Sequence, residues 1–260
     1  MTYALSIAAG HSSTWMETLG EYGAILGGAP RDVHIRLAAD SRLTHYRLIG
    51  PGGATDVADR LTVEIGAGAS YEQRLLAVPP AQFRSEQRIQ LDGAGASATL
   101  RGACVALPRS QLDLDITVVH GADHTESDQR INLLGAARGK ASAQVETQVP
   151  PGRRGVRANQ LLRAMQPDGQ AQIVLRPRLA ILSDDVVCRH GATTAAIRED
   201  ELFYLLSRGI ARHEAVAMLC EAFLRQMLPA DDQGSQRDVR LAVEQVLALG
   251  LQRQEAVHEA

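Results

Sequence analysis

Leu61-Thr62-Val63-Glu64-Ile65-Gly66-Ala67-Gly68-Ala69 alternates apolar and polar residues and then runs into small ones. Alternation at period two marks a half-buried strand, because successive side chains point to opposite faces of a sheet. The same pattern occurs upstream in Val33-His34-Ile35-Arg36-Leu37, followed by Ala38-Ala39-Asp40-Ser41. It recurs downstream in Arg88-Ile89-Gln90-Leu91, followed by Asp92-Gly93-Ala94-Gly95-Ala96. The closing apolar residues Leu37, Ile65 and Leu91 stand 28 and 26 residues apart. A loose repeat of this length predicts stacked rungs, as in a β-helix or related solenoid. Small residues after each strand let the backbone turn tightly and neighbouring rungs approach. An antiparallel sandwich with similar hairpins gives the same local pattern, and both architectures remain open at this point.

Strand-like pattern, including Leu112–Val118, extends to about residue 197 and then gives way to helical spacing. Arg198-Glu199-Asp200-Glu201 puts acids in a first helical turn, where they complement the macrodipole. Leu202, Leu205 and Leu206 follow, with Gly209 as a stop. Ala215, Val216, Leu219, Phe223 and Met227 form the stripe of a second helix, ended by Pro229. Ser235 caps a predicted third, with Val239, Val243, Val246 and Leu247 on its apolar face. The expected organisation is a β core over 1–197 and a helical domain over 198–260. Aromatics are scarce at 3%, so the core must rest on aliphatic side chains, which suits regular layers.

Net charge is −3 and pI about 6.2, so no general basic surface points to nucleic acid. Cys104, Cys188 and Cys220 are odd in number and widely spaced, which suggests no disulfide framework. The first residues lack the basic region and apolar run of a signal peptide, and no apolar stretch approaches the roughly 20 residues of a membrane span. A reducing cytoplasmic setting is the expectation.

Three local patterns carry chemistry. Cys188 and His190 are two apart in a strand-like run, so a thiolate and an imidazole would face one volume. Two ligands do not close a metal site, and a buried Cys beside a partly exposed His has the same spacing. His120-Gly121-Ala122-Asp123-His124 reads as a metal or acid–base cluster, or as a loop with side chain–backbone hydrogen bonds. Asp113, Asp115 and His120 are the residues that a hydrolase or lyase on a β-helix would use. Gly135-Ala136-Ala137-Arg138-Gly139-Lys140-Ala141-Ser142 only superficially matches a phosphate loop: it is one residue short, and Ala141 replaces the magnesium-binding hydroxyl. No nucleotide is expected there. Arg153, Arg154 and Arg157 read as an anion contact or a solvated loop.

Cys188-Arg189-His190-Gly191-Ala192-Thr193-Thr194, followed by Leu202-Phe203-Tyr204-Leu205-Leu206-Ser207-Arg208-Gly209-Ile210, closely resembles the C-terminal signature of the SufB/SufD family of iron–sulfur cluster assembly proteins. SufB carries Glu where Gly191 stands, so Gly191 favours the SufD branch. Arg176-Pro177-Arg178-Leu179-Ala180-Ile181 resembles the family's K-P-x-L-E-I strand, with Ala180 in the glutamate position. His120 and Ser127-Asp128-Gln129 resemble its V-x-H…S-x-Q stretch, and Arg138-Gly139-Lys140 its R-G-x-F-x-G-K region. Of A-Q-K-T-D-A-x-Q, the chain keeps Ala158 and Gln160. The family's extra N-terminal helical region has no counterpart before the first strands.

The resemblance implies a right-handed parallel β-helix followed by a small C-terminal α-helical domain that docks a SufC-type ATPase. It implies pairing with a SufB-like subunit or with a second copy as a β-helix dimer. It further implies that His190, with Cys188 nearby, binds iron or an iron–sulfur cluster, transiently and shared with the partner chain. The chain would then be a scaffold and not an enzyme. A β-helix that serves only as a structural partner and has lost cluster binding is the alternative, motivated by the eroded middle motifs.

Overall fold

The computed structural model describes residues 2–19, 31–50, 57–79, 81–108, 110–135, 138–167 and 169–228. Every strand-to-strand pairing in it is parallel, which removes the antiparallel sandwich. Strands β1 (Thr2–Ile7), β3 (Arg31–Leu37), β5 (Val57–Ile65), β7 (Gln82–Leu91), β9 (Gln111–His120), β11 (Lys140–Val149) and β13 (Gln172–Ile181) form one sheet in that order. Strands β2 (Ser12–Leu19), β4 (Arg42–Ile49), β6 (Ser70–Ala77), β8 (Ser97–Ala106), β10 (Glu126–Gly135), β12 (Val156–Met165) and β14 (Val186–Ala195) form the second. Each odd strand and the even strand after it make one rung of a parallel β-solenoid.

The predicted repeat is the register itself. Leu37 pairs with Ile65, Ile65 with Leu91, and Leu91 with His120, so the spaced apolar residues form one interior column. The small residues after them build a stack of identical turns. Gly10, Asp40, Gly68, Gly95 and His124 all adopt positive φ. The N–H of each donates to a carbonyl one rung on: Gly10 to Ala39, Asp40 to Ala67, Gly68 to Ala94, Gly95 to Asp123 and His124 to Arg154. Close approach is strictest at Gly93, where a Cβ would lie 1.9 Å from the Ala67 nitrogen.

The interior is aliphatic, with Ile35, Leu61, Val63, Ile89, Leu114, Ile116, Val118 and Val145 among its buried residues. Its N-terminal rungs also enclose a charged network. Arg47 is fully buried and donates to both Glu17 and Asp59. Glu17 also accepts from Arg31 and is bonded to His45 at 3.1 Å, and His45 stacks on Trp15 with ring centroids 4.4 Å apart. Burial pushes the Glu17 carboxyl up, but Arg47, His45 and Arg31 outweigh it and hold it well below the usual range.

Two helices follow the solenoid: α1 (Glu199–Ser207) and α2 (Arg212–Arg225). α1 opens after Arg198 with Glu199, Asp200 and Glu201 in its first turn, and Gly209 at positive φ follows its end, as the spacing predicts. α2 lies on the outside of the second sheet. Cys220, Phe223, Leu224, Met227 and Leu228 cover Leu76, Val78, Ala103, Val105 and Leu134 there, forming a separate outer core. Asn132 Nδ2 donates to the Phe223 carbonyl at 2.6 Å, and Arg74 to that of Met227 at 3.2 Å. The third predicted helix, with Ser235, Val239, Val243, Val246 and Leu247, lies outside the described residues. No described helix is long and apolar enough to cross a membrane.

Candidate functional site at the last rung

Among the described residues, β14 is the last strand of its sheet and pairs only with β12. Its register sets Cys188 over Ala158 and His190 over Gln160, and both of those β12 residues are buried inside the solenoid. Cys188 and His190 therefore share the interior-facing side, as their spacing predicts. No described strand lies above them, so Cys188 is half-buried and His190 is exposed. The facing strand β13 is left in the same condition: Ile173, Leu175, Pro177, Leu179 and Ile181 are only half-buried. One rung earlier, Ala141, Ala143, Val145, Thr147 and Val149 in β11 are all buried. Burial raises the Cys188 thiol above its ordinary value, against a smaller opposing pull from a hydrogen bond with the Ala158 backbone.

The register also joins motifs that lie far apart in sequence. Ser127 pairs with Ala158 and Ala158 with Cys188; Gln129 pairs with Gln160 and Gln160 with His190. Ser-x-Gln, Ala-x-Gln and Cys-x-His are thus three successive rungs of the same two interior columns. Gln160 donates to Thr147 Oγ1 at 2.6 Å and to the Arg178 carbonyl at 3.3 Å, spanning the core beneath His190.

The other candidates separate. His120 points inward and is fully buried, with Nδ1 2.8 Å from Thr125 Oγ1 and Nε2 2.8 Å from Ser127 Oγ. His124 sits in the turn stack at φ 57°, and Asp123 accepts from the Arg154 backbone, so this segment is a structural turn and not a cluster. Asp113 and Asp115 face outward on β9, opposite to His120, which removes the hydrolase arrangement. Arg153 donates to the Gly121 carbonyl while Arg157 faces Glu126 on the outer sheet, so the three arginines do not converge. Cys104 and Cys220 are buried, and burial pushes both thiols up to about 12. Among the described residues, no group of three or more His, Cys, Asp and Glu side chains could hold a metal ion. Cys188 and His190 stand as a pair on one face of the last rung.

His120 yields a pH test. Burial pushes its pKa down to about 4, so the folded chain keeps it neutral where the unfolded chain takes up a proton. Its contribution is therefore complete above about pH 6.5 and is lost as pH falls toward the folded value. Urea unfolding between about pH 7 and about pH 5 should show a loss from this residue on the order of 2 kcal/mol. In His120→Gln that part of the slope should vanish; an unchanged slope would mean that His120 titrates normally.

A family model described as the SUF system FeS cluster assembly, SufBD core domain, matches residues 10–223. An iron–sulfur cluster assembly SufBD family protein of Synechocystis is 26% identical over 196 residues, covering 75% of this chain and 43% of that protein. The iron–sulfur cluster assembly protein SufD of Escherichia coli is 26% identical over 229 residues, covering 84% of this chain and 49% of SufD. The iron–sulfur cluster assembly protein SufB of Bacillus subtilis is 26% identical over 134 residues, 52% of this chain and 29% of SufB. The chain thus spans less than half the length of these relatives.

Proposed function

The chain belongs to the SUF-system SufBD core family, and from that premise we propose that it is a SufD-like, non-catalytic scaffold subunit that contributes His190 and Cys188 to a cluster or iron site shared with a second chain. The observation that carries this reading is the exposed last rung. It presents a soft thiol and an imidazole side by side, and they are framed by half-buried apolar residues that a further layer would cover. Strands β13 and β14 each have one backbone edge without a described neighbour, which suits a partner with a β-helix of its own, a SufB-like subunit or a second copy. The iron and sulfide are cargo in this scheme, held in transit and not as a resident cofactor. Division of labour falls near residue 197, with the solenoid carrying the site and the helices docking a SufC-type ATPase. Phe203 and Tyr204 of α1 and Met218 of α2 are large and exposed, which favours the helices as a docking surface. The setting is the cytoplasm, and this chain takes no nucleotide itself.

Anaerobic reconstitution with iron, sulfide and SufB-like and SufC-like proteins tests the site. His190→Ala and Cys188→Ala should each cut cluster yield several-fold while the subunits still copurify. Wild-type yield from both variants would refute the ligand assignment, and failure of an ATPase to copurify with the intact chain would refute the docking assignment. A second reading, a structural partner that has lost cluster binding, is favoured by the lack of a third ligand among the described residues. It predicts complexes that form normally, hold no metal, and are indifferent to both substitutions.

A further inference from the structure

One interior column of the second sheet is polar over most of its length. Trp15, His45, Gln73, Leu100, Gln129, Gln160 and His190 follow one another in register, one per rung. Leu100, fully buried, is the single aliphatic member and divides the column in two. On its N-terminal side the polar groups close on each other. His45 Nδ1 lies 2.9 Å from Tyr71 Oη, Tyr71 donates to Gln73 Oε1 at 3.1 Å, and Gln73 donates to Gln87 Oε1 at 3.0 Å. On the C-terminal side they do not. Gln129 is fully buried, yet neither its Oε1 nor its Nε2 has a protein partner, and Gln160 Oε1 has none either.

A buried amide left unpaired is destabilising, and here two neighbouring side chains are left so in adjacent rungs. No direct bond joins the two amides, and one from Gln129 Nε2 to Gln160 Oε1 would still leave Gln129 Oε1 unpaired. The Gln160 nitrogen is committed to Thr147 and to the Arg178 carbonyl on the far sheet, which turns its amide across the core. A water molecule between the two side chains satisfies all three atoms: it accepts from Gln129 Nε2 and donates to Gln129 Oε1 and Gln160 Oε1. Three partners is the usual number for a buried water. The neighbouring column holds small side chains here, with Ala158 between Ser127 and Cys188.

We propose that the interior of the last rungs is a hydration site, with water bound between Gln129 and Gln160, exchanging with bulk solvent past His190 and stopped inward by Leu100. Its ligand class is water, and the His190 ring stands over it. This site does not depend on whether the rung binds a cluster.

A crystal structure of the full chain that resolves ordered solvent should show a water within hydrogen-bond distance of both amides. Water magnetic relaxation dispersion on the same protein should count at least one fewer long-lived internal water in Gln129→Leu than in wild type. Gln129→Met, equally apolar and more adaptable, gives the same comparison if the leucine variant folds poorly. A direct bond between the two amides, or an unchanged count of long-lived waters in the variant that folds, would overturn the proposal.

Discussion

Replacing Arg47 with leucine should lower the unfolding free energy by about 3–5 kcal/mol, because it strands two buried carboxylates without their shared cation. Arg47 has no exposed surface, and its guanidinium bridges Glu17 and Asp59 from the middle of the N-terminal rungs. Removing it leaves, among the described residues, Arg31 and the neutral-leaning His45 beside Glu17, and the Asp59 side chain loses its ion pair with Arg47. Burial, with Arg47 helping, already holds the His45 imidazole below its usual value despite the Glu17 bond. Equilibrium denaturation at neutral pH measures the loss; a change under about 1 kcal/mol would show that the network contributes no more than surface pairs do. Replacing Glu17, Arg47 and Asp59 together by methionine should recover much of it, since an apolar filling of like volume is often as stable as a buried ion network. Acid opens the same network from the other side, by protonating its carboxylates. The Glu17 carboxyl is depressed in the folded state, so its contribution is present above the ordinary carboxylate range and fades as pH falls below it.

Phe223→Ala should cost about 3–5 kcal/mol of the packing of α2, the usual price of truncating a buried phenylalanine. The loss should be local. Phe223 belongs to the outer core with Leu134, Val105 and Leu224, which is distinct from the aliphatic core inside the solenoid. Arg163 also stands 5.4 Å from its ring centroid. Circular dichroism during denaturation should therefore show helical signal disappearing at lower denaturant than the β signal, where wild type loses both closer together. A single coincident transition near the wild-type midpoint would mean that the helices are held by other contacts.

The first sheet was legible because its odd strands keep strict alternation. Strands β7 and β9 bury every second residue and leave the others exposed or half-buried, so Leu37, Ile65 and Leu91 stand out at rung spacing. The second sheet was harder to read. In β6, β8 and β10 the last residues are buried on both faces, because α2 covers Ala103, Val105 and Leu134 from outside while Cys104 and Leu133 fill the interior. Period two vanishes there. The Cys188–His190 pair was legible from local spacing alone. The residues beneath it were not, since Gln129, Gln160 and His190 meet only through a register that joins positions about thirty residues apart. Their family-like motifs were visible separately, and stacking is what unites them. The charged network escaped for a similar reason: Glu17, Arg47 and Asp59 occupy interior positions that a sequence pattern reserves for apolar side chains.

Parallel stacking also makes this molecule, energetically, a one-dimensional row of coupled units. An interior rung is held by two neighbours; the rung of β13 and β14 is held by one. The unit that carries Cys188 and His190 is therefore one of the two ends of the row, coupled on one side alone among the described residues. Under the proposed function, a second chain docked at this end would take the place of the missing neighbour, and part of its binding free energy would go into fixing the positions of both side chains. The relative placement of Cys188 and His190 would then be a property of the assembled pair of chains, sharpened on association and relaxed on release.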